Sequence, residues 1–208
     1  MESKKIKEDP KLPFLTCQDY TVSGEKFELR YNPKMELLET FPKPGLAELP
    51  TYYKSEKYIS HTDSSSGVMD KIYQWVKHFM LDKKIKWIEA EKGDRGKLLD
   101  IGAGTGDFLV KAKTKNWNVD GVEPNPEARN LAAKKGIGMY KDTENFSSST
   151  FDVITMWHVL EHVPDLDLQI NELFRLLKND GLLVIAVPNF KSWDAQKYNE
   201  HWAAFDVP

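Results

Sequence analysis

The chain has 208 residues, 40% hydrophobic and 29% charged, with 29 Lys and Arg against 32 Asp and Glu and a formal net charge of -3. At about 150 residues per domain this allows one domain with an appendage, and burying roughly 70% of the unfolded surface is enough for a core. The charge balance excludes a basic nucleic-acid binder, and the single cysteine, Cys17, excludes an intrachain disulfide scaffold and a four-thiolate zinc site. No apolar run approaches the ~18 residues of a membrane span, and the charged stretch from Met1 to Asp9 has no secretory apolar region. A cytoplasmic, soluble globular protein without a membrane span is expected.

Residues 1–67 are rich in Pro and Tyr. Weak alternation in Tyr20-Thr21-Val22 and in Lys26 to Tyr31, with Gly24 between them, predicts a small hairpin or meander. Pro33, Pro42, Pro44 and Pro50 then predict irregular, extended chain, and Ser64-Ser65-Ser66-Gly67 a linker. This segment, with His61 near its end, is expected to act as a lid-like appendage to a domain over 68–208. From Val68 to about Lys92 the apolar residues Val68, Ile72, Trp75, Val76, Phe79 and Met80 recur at helical spacing. A basic amphipathic helix of this kind can lie on a membrane or an acidic partner. The expectation here is a helix packed on the following domain, with Lys71, Lys77, Lys83, Lys84 and Lys86 on its solvated side.

From Lys97 strands and helices alternate. Strands are predicted over 97–101, 117–122, 137–141, 151–157 and 181–187, and helices over 107–115, 126–135 and 166–177. Gly136 and Gly181 stand where helix ends or following turns belong. Strands alternating with helices of this length imply βαβ units and a parallel sheet. Runs such as Leu182-Leu183-Val184-Ile185-Ala186-Val187 suit strands buried on both faces.

The stretch Leu98-Leu99-Asp100-Ile101-Gly102-Ala103-Gly104-Thr105-Gly106-Asp107-Phe108 is a strand, a glycine turn and a helix start. Such a turn lets backbone approach a ligand and offers free N–H groups. A phosphate loop needs Lys-Ser/Thr after its second glycine, which is missing. A dinucleotide loop needs glycine where Asp107 stands, which disfavours an NAD-dependent oxidoreductase. The acid at the strand end, Asp100, suits a cation, and S-adenosylmethionine carries both a sulfonium and an ammonium. About 20 residues on, Glu123 ends the second strand, where a carboxylate can accept from two ribose hydroxyls.

Together D-I-G-A-G-T-G, G-V-E-P-N, F-D-V-I-T-M-W-H-V-L-E-H-V-P-D and L-L-K-N-D-G-L-L-V-I-A-V-P-N resemble the successive motifs of class I S-adenosylmethionine-dependent methyltransferases. They are most similar to the small-molecule group with the ubiquinone-biosynthesis O-methyltransferases. The resemblance covers about 68–208 and implies an α/β, Rossmann-like, doubly wound and mostly parallel sheet. It also implies that Asp100, Gly102, Gly104 and Gly106 hold the cofactor's methionine part, with backbone contacts from Ala103. Glu123 would hold the ribose, Pro124 and Asn125 would flank the adenine, Asp142 would bond its amino group, and Met156, Trp157 and His158 would line the cleft.

Methyl transfer to a small-molecule acceptor mainly needs the reactants positioned and desolvated, with a base where the nucleophile carries a proton. His158, Glu161 and His162 are the catalytic candidates, since a helical turn would bring both imidazoles near one face. Some ubiquinone-type relatives bind a divalent cation here, but His158 stands where they carry an acid, so no metal is expected. The alternative is that Glu161 and His162 only orient the loop. Trp157, Trp193 and Trp202 are candidates for an aromatic pocket, with core or lid packing the alternative. A non-catalytic module that binds the cofactor or a partner remains the rival reading.

The N-terminal segment resembles a zinc ribbon that has lost its metal. Its ligand positions would fall on Cys17, Tyr20, Asn32 and Met35, ahead of Phe41-Pro42-Lys43-Pro44. One thiolate cannot hold structural zinc, so a metal-free relic is expected. Finally, the family fold carries strands beyond the fifth, and the last residues, Asn199 to Pro208, resemble the start of a longer segment. A C-terminally incomplete fold with an unpaired sheet edge, prone to self-association, is therefore expected.

Overall fold

The computed structural model describes residues 12–45, 47–52 and 68–208, so His61 and the 64–67 linker lie outside the described residues. The chain divides into two compact units: Met1–Glu56 with Pro188–Pro208, and Lys57–Val187.

The first unit holds an antiparallel sheet in the order β1 (Leu15–Gln18), β2 (Lys26–Asn32), β3 (Leu37–Phe41). Tyr20-Thr21-Val22, expected as a strand, is a turn. Asp19 accounts for this: its carboxylate accepts from the N–H groups of Thr21, Val22 and Ser23 at 2.7, 3.0 and 2.7 Å. Local bonds of this kind compete with a ladder and win here. Phe27 and Leu29 point to one face of β2, where they bury with Cys17 and Val207. Burial and the charge of Glu200 push the Cys17 thiol up to about 11, so it stays neutral at physiological pH. A short helix, α1 (Leu49–Tyr52), joins through the Tyr52 hydroxyl, which donates to Glu25 at 2.7 Å.

Among the described residues the second unit begins with α2 (Val68–Lys92) and then alternates β4 (Lys97–Ile101), α3 (Asp107–Thr114), β5 (Asn118–Val122), α4 (Pro126–Lys134), β6 (Gly138–Tyr140), β7 (Phe151–Trp157), α5 (Leu166–Leu176) and β8 (Leu177–Ala186). The five strands are all parallel, in the order β6-β5-β4-β7-β8. The order reverses between β4 and β7, and the crevice at their carboxyl ends is where open α/β sheets bind ligands.

Each strand's period of two sends side chains to two cores. Leu98 and Val153 join Ile85 and Ile88 of α2, Phe108 and Leu109 of α3 and Ala132 of α4. Leu99, Ile101, Ile154 and Met156 join Leu173 and Leu176 of α5 on the other side. Helices therefore cover both faces, as a doubly wound sheet requires.

Two details differ from the sequence reading. The apolar series that predicts α2 is not the one it buries: Ile72, Trp75, Val76 and Phe79 are exposed, and Ile85 and Ile88 enter the core. The helix carries apolar residues on both faces, so periodicity finds the helix without choosing its buried side. Gly181 is also not a turn. β8 starts at Leu177, and the register between β7 and β8 shifts between Phe151 and Val153 to take up the extra residues.

The last 21 residues contribute α6 (Trp193–Tyr198), with the Ser192 hydroxyl capping it through the Ala195 N–H. Trp193 is exposed, whereas Trp202 packs edge-on to Phe205 with centroids 4.9 Å apart.

Candidate functional site

The carboxyl end of β4 feeds a loop of three glycines with left-handed backbone: Gly102 at φ 73°, Gly104 at 52° and Gly106 at 77°. The N–H groups of Gly102 and Ala103 both donate to the Val122 carbonyl, at 2.8 and 3.0 Å, which fixes the loop to the end of β5. Two of these glycines differ in their surroundings. At Gly106 a Cβ would lie 2.8 Å from the Cβ of Ala132 on α4. At Gly104 a Cβ would meet nothing within 4 Å, so this part of the loop borders open space. Gly106→Ala is therefore expected to cost about 2 kcal/mol or more, from left-handed strain and overpacking together. A thermal melt matching the unsubstituted protein would contradict it.

Asp100 points from β4 toward the face of α2 and is 3% exposed. Thr155, its register partner on β7, donates its hydroxyl at 2.6 Å. Burial raises the Asp100 carboxyl to about 7, helped by the nearby Glu123 charge and opposed by the Thr155 hydroxyl and the charge of Lys84. A desolvated acid at a strand end, held by one hydroxyl, is a receptor for positive charge.

Glu123 follows β5 and is 4% exposed. Its carboxylate bridges two loops, accepting from the Gly104 N–H at 2.9 Å and the Asn125 N–H at 2.9 Å. Each oxygen keeps a second lone pair for a ligand hydroxyl. Pro124 is exposed, and Asn125 caps α4 through the N–H groups of Glu127 and Ala128 at 2.9 and 3.2 Å. Asp142 lies two residues beyond β6, its carboxylate accepting from the Glu144 N–H at 3.2 Å. Asp107 opens α3 and pairs with Lys77 of α2, and with Lys135 at 2.6 Å. Burial raises the pKa of this acid, but the two lysines outweigh burial and hold it below the usual carboxylate range.

At the end of β7, Met156 is fully buried in the second core. Trp157 faces the other way, against Phe108, with ring centroids 5.6 Å apart. His158 takes a left-handed conformation at φ 58° with its side chain 64% exposed. Its Nδ1 lies 3.5 Å from Glu161, so these two are brought together. Leu160–His162 form a single 3₁₀ turn, which places His162 at the end of the turn while His158 precedes it.

Three further residues support this site. Thr155 is findable in retrospect, because it opposes Asp100 at the same sheet register. Arg129 on α4 donates to the carbonyls of Glu123 and Pro124, both at 2.7 Å, and so supports the turn that holds Glu123. Lys84, expected on the solvated side of α2, is half-buried with its Nζ 4.0 Å from the centroid of the Trp157 ring.

Comparison with known proteins agrees with this arrangement. A family model described as a methyltransferase domain matches residues 74–208. A demethylmenaquinone methyltransferase of Lactobacillus johnsonii is 29% identical over 164 residues, which cover 71% of this chain and 62% of that protein. A ubiquinone biosynthesis O-methyltransferase of Actinobacillus pleuropneumoniae is 38% identical over 108 residues, covering 45% of this chain and 46% of that protein. The chain thus spans less than two thirds of the length of either relative. The crystal structure of a SAM-dependent methyltransferase from Archaeoglobus fulgidus shares the fold, with a TM-score of 0.50 at 22% identity over 58% of this chain and 57% of that one. The family match begins within α2 and takes in the whole parallel sheet and its glycine loop, and the chain belongs to the methyltransferase domain family.

Proposed function

We propose that this chain binds S-adenosylmethionine at the carboxyl ends of β4 and β5 and transfers its methyl group to a small-molecule acceptor by in-line displacement. The observation that carries the reading is the pair of buried acids, Asp100 and Glu123, on either side of an open glycine loop. Asp100 beside the loop would repel a pyrophosphate and attract a sulfonium and an ammonium, while Glu123 suits ribose hydroxyls.

When bound, S-adenosylmethionine supplies an electrophilic methyl group on a positively charged sulfur. The chain's own part is to hold and to exclude water. Asp100 offers negative charge to the methionine part, with the glycine-loop amides and Ala103 beside it. Glu123 offers its spare lone pairs to the ribose, and Pro124, Asn125 and Asp142 border the adenine position. His158, exposed at the end of β7 and oriented by Glu161, is placed to take a proton from an acceptor hydroxyl or amine. His162 serves that turn. The quinone names of the two curated relatives support a small-molecule acceptor.

Calorimetric titration with S-adenosylmethionine, followed by detection of S-adenosylhomocysteine in the presence of a metabolite extract, tests the proposal. Saturable binding and product formation are the expected results. Absence of binding at millimolar cofactor would overturn it, and binding without turnover would favour a non-catalytic cofactor-binding module.

A further inference from the structure

The fold leaves outside the very apolar series that marks α2 in the sequence. Ile85 and Ile88 turn one side of the helix into the core, each 1% exposed. Ile72, Val76, Phe79, Lys83 and Lys86 follow one another at helical steps along the opposite side. The apolar members of this row are exposed, and so are Trp75, at 68%, and Trp87 beside it. The Trp75 and Phe79 rings stack with centroids 6.0 Å apart and 15° between their planes, so they present one apolar plate. Single exposed apolar residues are ordinary, but a contiguous stripe marks a surface that something covers.

The free charges along this stripe are of one sign. From Lys71 to Trp87 the helix carries five lysines and one acid, Asp82. Asp82 and Lys77 turn to α3, where they pair with Lys111 and Asp107. Lys84 turns to the Trp157 ring. Lys71, Lys83 and Lys86 are the exposed cations that remain, and the first exposed acid after Trp87 is Glu91, a turn further on. Lys83 lies over Trp87, its Nζ 5.1 Å from the ring centroid, which keeps its stem on apolar surface and its head outward.

We propose that this outer face of α2 docks on an anionic phospholipid bilayer. The stripe offers no acid to its own lysines, so a second copy laid against it would add cations where anions are needed. Indole rings beside an apolar row, with lysine heads at its rim, suit a headgroup boundary: the rings meet acyl chains and the ammonium groups meet phosphates. A fluid bilayer answers both parts of the stripe without a pocket shaped to the Trp75–Phe79 plate. The helix lies on the bilayer and does not cross it, because its lysines are too costly to bury and no described helix is long and apolar enough to span. The proposal is independent of the cofactor reading.

Flotation of the full chain with vesicles of equal parts phosphatidylglycerol and phosphatidylcholine, against vesicles of phosphatidylcholine alone, tests it. Binding to the anionic vesicles is expected, and it should weaken as added salt screens the lysines. Lys83→Gln and Lys86→Gln should each weaken it about fivefold, and Trp75→Ala about tenfold or more. These side chains lie outside the cores, so the variants are expected to melt with the unsubstituted protein. Should Trp75→Ala lower the melting temperature, the two lysine variants carry the test alone. Equal binding to both kinds of vesicle, or none to either, would overturn the proposal. Binding to polyglutamate without binding to anionic vesicles would assign the stripe to an acidic protein and overturn it too. So would a dimer, seen by light scattering, that Trp75→Ala disperses, because a second copy would then cover the stripe.

Discussion

Asp100→Asn should make the empty protein more stable at pH 8 while removing its affinity for S-adenosylmethionine. The sign follows from the raised carboxyl. Its ordinary value is 3.8, and burial lifts it to about 7 in the fold. A folded-state value above the unfolded one means that the neutral acid stabilises the fold below pH 4, and that this contribution is lost as pH rises through 7. At pH 8 the empty protein carries an ionised, desolvated carboxylate, at a cost on the order of a few kcal/mol. Asparagine still accepts the Thr155 hydroxyl bond and carries no charge to desolvate. Melting curves from pH 4 to 8 should fall for the unsubstituted protein and stay flatter for Asp100→Asn. Cofactor affinity of the unsubstituted protein should also drop about tenfold per pH unit below pH 7, since the protonated acid offers nothing to a cation. Parallel melting curves for the two proteins would refute this account. The acid is thus held at a loss in the empty state, a common relation between a binding site and stability.

Why Asp100 and Glu123 are legible in the sequence, and Lys84 is not, comes down to local order. Asp100 stands at the end of one strand and Glu123 just after the next, and the glycines between them punctuate the chain, so type and spacing are visible together. Lys84 is one of many lysines on a helix apolar on two sides, and only the packing of Ile85 and Ile88 reveals which way it points. The same ambiguity misassigned Ile72, Trp75 and Phe79 to the packed side. In the first unit the hairpin expectation led to a sheet, but with different strands. Asp19 draws Thr21 to Ser23 into a turn, and Leu37–Phe41, short and bracketed by prolines, supplies a strand that alternation did not suggest. β4, β7 and β8 were readable as apolar runs, and the short β5 and β6 from the alternation of strands with helices. The β7–β8 register shift was not, since Gly181 looks the same in a turn as in an irregular strand.

Glu123→Ala should lower cofactor affinity without a compensating gain in stability. Unlike Asp100, this carboxylate is already used: it ties the Gly104 N–H to the Asn125 N–H, one from each ligand-bordering loop. Removing it leaves two half-buried donors without their carboxylate partner, a cost of about 1–3 kcal/mol for each that water does not reach. The ribose would lose two charge-assisted acceptors at the same time, so affinity should fall about 100-fold or more. Glu123→Gln is not a conservative control. Its amide keeps one acceptor oxygen and turns an NH₂ group toward the second backbone donor, so one of the two loops must move. The glutamine variant is therefore expected to melt close to the alanine variant, and to bind only marginally better. Thermal melting and calorimetry on both variants separate the two roles. Lost affinity with unchanged melting would mean that the carboxylate serves the ligand alone. Retained affinity in Glu123→Ala would place the ribose elsewhere and remove one of the two acids on which the proposed function stands.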